Sequence, residues 1–227
     1  MPRVETILHF GDLIDSVGQL QAQNQAANYL FRGQDRLYPT DGQPFSVRPR
    51  FYRAGSRQLA NLERLQSHIS HVTANTILPE GYTSRPVAAE ALLQHYERVD
   101  TRMLDCTHIL HVAATFALFK DWRTCPEDAV ILVIDINGAT PDPAQGQWGA
   151  VLVAATAGPG ARRPIRQAAW AVFMAGAETD VVDFADRLVA VYRIPRVAED
   201  TFWRGFMPYE HGWMMARDGF SSHFCEV

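Results

Sequence analysis

The chain has 227 residues, 47% of them hydrophobic and 20% charged, which is enough apolar material to bury a sizeable core and sets one domain, 1–227, as the expectation. A formal net charge of −4 lacks the basic excess of proteins that grip nucleic acid chiefly through its phosphates, although two arginine groups survive that average and read first as solvated faces or loops: Arg48, Arg50, Arg53 and Arg57, then Arg162, Arg163 and Arg166. Three cysteines without CxxC spacing argue against a disulfide framework and a zinc site, and with no leader pattern and no apolar run of about 18–20 residues the expected location is the cytoplasm.

In chain order, Val4 to Phe10 reads as a short strand or docking segment, and Asp12 to Ala27 as a helix with Leu13, Ile14, Val17 and Leu20 on one stripe. Tyr29, Leu30 and Phe31 favour a strand that Gly33 ends. The Pro-, Gly- and Arg-rich stretch from Arg36 to Tyr52 predicts loop. Leu59, Leu62, Leu65, Ile69 and Val72 recur at helical spacing and predict a helix from Ser56 to Ile77, stopped by Pro79 and Gly81. Further helices are expected at Val87 to Arg98 and Ile109 to Phe119.

Ala129 to Ile136 is the clearest strand, a β-branched run closed by Asn137-Gly138. Pro141 to Gly149 predicts an exposed excursion, Val151 to Ala155 and Ala168 to Met174 predict strands, Asp180 to Leu188 a short helix, and Val189 to Ile194 a strand. The aromatic stretch Phe202, Trp203, Phe206, Tyr209, Trp213 and Phe220 is core or interface. Strands interleaved with helices without regular βαβ spacing give an α+β fold class, a mixed and mainly antiparallel sheet core with flanking helices.

Two places concentrate chemistry. Arg32 follows three apolar residues and precedes Gly33, so its planar fork stands where a backbone could approach a phosphate or pyrophosphate closely; an arginine tying two loops together is the structural alternative. The segment Gln94 to Thr107 packs His95, Tyr96, Thr101, Arg102, Asp105 and Thr107 around Met103-Leu104, and so many polar groups in an apolar setting need internal partners. Arg102 with Asp105 is one such pair, and His95 reads as a helix-end residue or as a catalyst. GxGxxG, P-loop, HExxH and GxSxG patterns are absent, and the eight histidines show no metal-site spacing.

At these residues the chain resembles the FRG domain, a bacterial and phage-associated family named for its Phe-Arg-Gly motif. The likeness rests on Tyr29-Leu-Phe-Arg-Gly-Gln34, on Leu92-Leu-Gln-His-Tyr96, on Thr101-Arg-Met-Leu-Asp-Cys-Thr107 with the alanine-rich Val112 to Leu118, on Arg163-Pro-Ile-Arg-Gln167 and on Tyr192-Arg-Ile-Pro195. Cys106 departs from the family's tryptophan, Glu97 to Asp100 from a glycine-containing turn, and Ala169 from a glycine. The order of elements also looks like that of the ADP-ribosyltransferase superfamily. That second resemblance implies NAD as a substrate, with Arg32-Gly33 in the early-strand role, Asp105-Cys106-Thr107 and the following helix in the second, and Gln167 in the place of a late-strand catalytic acid.

The resemblance thus implies Arg32, Gly33, Tyr96, Thr101, Arg102 and Thr107 toward NAD, and Asp105, Gln167 and His95 toward the reaction. Glutamine carries no charge, so Asp105 or Glu178 is left to support positive charge on the ribose. The implied activity is transfer of ADP-ribose to a nucleic acid or protein by a toxin or defence effector, with an antitoxin or other neutralising protein as a partner and no membrane. Three alternatives stand beside it: a nucleotide-binding module without turnover, a nuclease using His95, and a buried polar network that fixes the fold while a protein interface carries the function.

Overall fold

The longest β-branched run, Ala129-Val-Ile-Leu-Val-Ile-Asp135, is buried at every position but its last, as a strand covered on both faces must be. The computed structural model describes residues 1–39, 43–53, 58–76, 78, 81–96, 99–118, 127–157, 161–177, 181–195 and 199–215. In chain order its elements are β1 (Arg3–Thr6), α1 (Phe10–Gln23), β2 (Tyr29–Gln34), α2 (Gln58–Asn75), α3 (Arg85–His95), β3 (Leu104–Thr107), α4 (Leu110–Ala117), β4 (Ala129–Asp135), β5 (Trp148–Leu152), α5 (Val153–Ala157), α6 (Arg162–Gln167), β6 (Ala169–Met174), β7 (Leu188–Ile194), α7 (Glu199–Phe202) and α8 (His211–Met214). Short 3₁₀ turns cover Arg50–Arg53 and Phe184–Arg187. The fold class is α+β, with strands mostly antiparallel.

The chain divides into two compact units, Met1–Val47 with Cys106–Asn137 and Phe184–Trp213, and Arg48–Asp105 with Gly138–Asp183 and Met214–Val227. In the first, β4 pairs antiparallel with β2 from Tyr29↔Asp135 to Gln34↔Val130, and with β7 from Ala129↔Ile194 onward, with a register shift between Val133 and Ile134. β1 adds to β7 in parallel, Arg3↔Ala190 to Thr6↔Arg193, and Thr107 of β3 lies opposite Phe31. One face of this sheet, carrying Phe31, Ile131, Val133, Ala190, Tyr192 and Ile194, packs with Phe10 and Leu13 of α1 and with Ala113, Ala114 and Ala117 of α4.

Gly33 does not end β2, which runs through it to Gln34. A Cβ there would overlap the Ala113 carbonyl oxygen and lie 2.7 Å from the Ala117 nitrogen. The missing side chain therefore lets the backbone of α4 lie directly on the strand. Around Phe10 and His111 gather Trp203, Phe206 and Tyr209, with the His111 ring stacked on Trp203 at 5.1 Å and tilted against Tyr209 at 4.5 Å. Phe202 is wholly buried in the same core. This tertiary packing starts α1 at Phe10 instead of Asp12, and its last turn closes at Gln23, four residues before the expected end.

The second unit pairs β5 with β6 antiparallel, Trp148↔Met174 to Leu152↔Trp170, and builds its core from α3, α5 and the inner residues of both strands. The Phe173 ring covers Gly149, where a Cβ would come within 2.6 Å of it, so Trp148 and Gly149 belong to the strand and not to the excursion before it. β5 stops at Leu152; the alanine-rich Val153-Ala-Ala-Thr-Ala157 coils into helix, as alanine's helical preference favours, and the Thr156 hydroxyl donates to the Val153 carbonyl at 2.8 Å. The helix expected at Asp180 to Leu188 is reduced to the 3₁₀ turn at Phe184–Arg187. No helix among the described residues is long and apolar enough to cross a membrane.

Two outcomes test these contacts. Gly33→Ala must push α4 off β2, and thermal or urea unfolding should show a loss of about 3 kcal/mol or more. Tyr192 is wholly buried, its hydroxyl has no hydrogen-bond partner among the described residues, and burial first and Glu5 second raise its phenol above the ordinary value. Because the folded state favours the protonated phenol, stability is complete below about pH 10 and falls as pH rises through the folded pKa. Tyr192→Phe should flatten that alkaline fall and, at neutral pH, unfold no earlier than the parent, since it removes a buried hydroxyl that lacks a partner.

Candidate functional site

Most of helix α3 is enclosed: Ala88, Ala89, Ala91, Leu92 and Leu93 are buried, and with them the polar Glu90 and His95, while Gln94 is half-buried. Each of three finds its partner in the segment that follows. Glu90 takes Arg102 through Nη2 to Oε2 at 2.6 Å and Nε to Oε1 at 3.2 Å, and its Oε1 also accepts the Arg102 backbone N–H at 2.9 Å. Gln94 Oε1 accepts a short hydrogen bond from the Thr101 hydroxyl. His95, the last helical residue, places Nδ1 3.6 Å from Asp105 Oδ1. The chain from 101 to 105 is thus clasped to the helix by a two-point ion pair, a hydroxyl–amide bond and a histidine–carboxylate contact, all within the second unit.

The members differ in access. The His95 side chain is 0% exposed and Asp105 31%, so the carboxylate lies at the surface of the cluster with the imidazole behind it. The 3.6 Å separation is beyond hydrogen-bond length, and neither ring nitrogen of His95 has a hydrogen-bond partner among the described residues. The imidazole edge abuts the Tyr96 ring, 5.6 Å between centroids at 85°, and the Arg163 guanidinium lies over that ring at 5.6 Å. Tyr96 is 5% exposed and its face holds Arg163, so it is occupied in packing and not open to a nicotinamide ring. His95, given the general acid or base role in the nuclease alternative, is enclosed, with its side chain 0% exposed.

Gln167 falls at the end of α6, ahead of β6, and not on a strand. Its amide donates to the Met214 carbonyl at 2.7 Å and reaches the Met215 sulfur at 3.7 Å, and the residue is 2% exposed. A buried amide committed to a carbonyl ties α6 to the C-terminal segment, which corrects its assignment as a reacting group. The residue after it, Ala168, is held left-handed at φ 44, a cap geometry that glycine adopts more easily. Glu178 lies outside the described residues.

Arg32, Gly33 and Thr107 belong to the first unit. The gap left by Gly33 is filled by α4 and holds no room for a ligand. Thr107 is buried, and its hydroxyl accepts the Ile109 N–H at 3.1 Å, shaping the turn into α4. Arg32 is half-buried on β2 opposite Leu132. Glu90 was missed from the sequence, although a lone carboxylate inside Ala88 to Leu93, four residues before Gln94, signals a buried charge in need of a cation. Among the described residues no group of three or more His, Cys, Asp or Glu is placed to hold a metal ion.

Glu90 is 4% and Arg102 23% exposed in their side chains, so removing one partner strands a largely desolvated charge. Glu90→Ala should cost about 3–5 kcal/mol in urea unfolding, and the double variant Glu90→Met with Arg102→Met should recover much of that loss.

Comparison with protein-family models, with curated proteins and with solved structures found no match.

Proposed function

We propose that the chain is an ADP-ribosyltransferase-like enzyme that cleaves NAD and passes ADP-ribose to a macromolecular acceptor, with Asp105 as its reacting carboxylate. The observation that carries this reading is the partly exposed Asp105 backed by the enclosed His95 at 3.6 Å, while Gln167 is committed to a backbone carbonyl. In the reaction the glycosidic bond between the nicotinamide nitrogen and the ribose carbon breaks, and its electron pair leaves with nicotinamide. Positive charge grows on the ribose, and a carboxylate fixed beside it stabilises that charge more than the ground state. An oxygen or nitrogen of the acceptor then bonds to the same carbon and gives up its proton.

The surrounding residues hold the carboxylate's strand in place. Arg102, pinned by Glu90, and Thr101, bonded to Gln94, fix the chain just before Asp105, and the Tyr96–Arg163 stack holds the other side of His95. The resemblance of Leu92 to Tyr96 and Thr101 to Thr107 to the FRG pattern supports the reading, because Gln94, His95, Thr101, Arg102 and Asp105 of the clasp fall within it.

Incubation of the purified protein with labelled NAD and cell extract should give labelled protein or nucleic acid and free nicotinamide. Asp105→Asn should lower nicotinamide release by on the order of 100-fold with an unchanged circular dichroism spectrum. NAD that protects the protein thermally but stays intact would replace the enzyme with a non-catalytic nucleotide-binding module; neither protection nor cleavage would sink both.

A further inference from the structure

The exposed apolar side chains of the first unit gather around the start of α1. Leu8, Ile14, Phe206 and Met207 all stand in water, Met207 at 80% exposure. The Phe206 ring lies beside Gly11, with Cε2 4.0 Å from where a Cβ there would stand. Leu8 leads into the helix three residues before Gly11, and Ile14 follows three residues after it on the same side of α1. Gly18 continues that side, and among the described residues nothing lies within 4 Å of where its Cβ would stand. The backbone that presents Phe206 and Met207 is fixed: the Phe206 N–H donates to the Trp203 carbonyl at 2.6 Å, the Met207 carbonyl is 2.5 Å from His111 Nε2, and the Phe206 ring meets Phe10 edge-on at 5.1 Å. The fold thus holds a cluster of apolar side chains out in solvent.

The charges that rim this cluster are mostly negative. Asp12 and Asp15 of α1 and Glu210, three residues beyond Met207, are exposed, against the single exposed cation Arg204. Three carboxylates and one guanidinium repel a second copy of the same face, a nucleic acid and an anionic lipid surface, and they attract a basic partner. We propose that this face docks a basic amphipathic helix of a partner protein, whose apolar stripe packs on Leu8, Ile14, Phe206 and Met207 while its lysines or arginines meet Asp12, Asp15 and Glu210. A helix suits the seat because Gly11 and Gly18 leave low ground on either side of Ile14 for its ridges, and a flexible methionine adapts to the packing. The face lies within one unit and uses neither Asp105 nor NAD, so it stands or falls separately from the enzymatic reading.

The probe is a fluorescein-labelled model peptide with leucines on one helical face and lysines on the other, titrated with the full chain and read by fluorescence anisotropy, beside a counterpart with glutamates in place of the lysines. The parent should bind the lysine peptide saturably and the glutamate peptide about tenfold more weakly. Met207→Ser and Ile14→Gln, at exposed positions where the melting temperature should hold, should each weaken the lysine peptide about tenfold. Asp12→Lys with Asp15→Lys should reverse the preference; Asp15→Lys alone should shift it the same way and covers the case in which the first-turn Asp12 is needed for folding. Ile165→Gln, at an exposed apolar residue of the other unit, should change nothing. No saturable binding, equal affinity for the two peptides, or unchanged affinity in the Met207 and Ile14 variants would overturn the proposal. So would sedimentation in which the parent pairs with itself and Met207→Ser does not, which would give the face to a second copy.

Discussion

The burial of a helix that is apolar on nearly every side is the constraint from which the candidate site follows. Once Ala88, Ala89, Ala91, Leu92 and Leu93 carry α3 into the core, Glu90 and His95 are buried and Gln94 half-buried with it, and buried polar groups must be matched. The next stretch of chain supplies hydrogen-bond partners for Glu90 in Arg102 and for Gln94 in Thr101, and sets Asp105 3.6 Å from His95. The cost of desolvating three polar side chains is thereby turned into positional specificity. Residues 101 to 105 can run in one register only, because a slip of one position would set Arg102 against the amide and leave Glu90 with no cation. Asp105 inherits its position from that clasp.

In the first unit the same logic runs through shape in place of charge. Phe31-Arg-Gly33 reads as a ligand-facing motif, yet two of its three residues serve the packing of α4: Phe31 lies in the core and Gly33 clears a path for a helix backbone. Alternation along the strand then forces Arg32 onto the opposite face. A motif of this kind is an address for a helix first, and the arginine's place on the other face of the strand is its consequence. Thr107 repeats the pattern, since its hydroxyl serves the turn that launches α4.

What could be read from the sequence divides along physical lines. β4 was legible because a seven-residue run with Val130, Ile131, Val133 and Ile134 and no helical stripe admits little else, and α3 because leucine and alanine in a long run favour helix. The polar segment after α3 was legible as needing partners, but the partner of Arg102 was not: the sequence offers Asp105 three residues away, whereas the fold brings Glu90 from twelve residues back along a helix. α6 was hidden by Pro164, which reads as a break, although a proline in the first turn removes an N–H that has no helical partner. The β5–α5 boundary was hidden because Val151 to Ala155 is alanine-rich, and only strand pairing that ends at Leu152 against Trp170 settles where extension stops.

The proposed chemistry turns on where each candidate residue stands. Sequence order nominates Gln167, but an amide bonded to the Met214 carbonyl and nearly sealed from solvent has neither charge nor access. Glu90 has charge but spends it on Arg102 at 2.6 Å. Asp105 has a carboxylate, partial exposure and the enclosed His95 ring 3.6 Å behind it. In the proposed reaction a carboxylate held in place by its surroundings stabilises developing charge on the ribose, whereas a mobile one must be reorganised when the bond breaks.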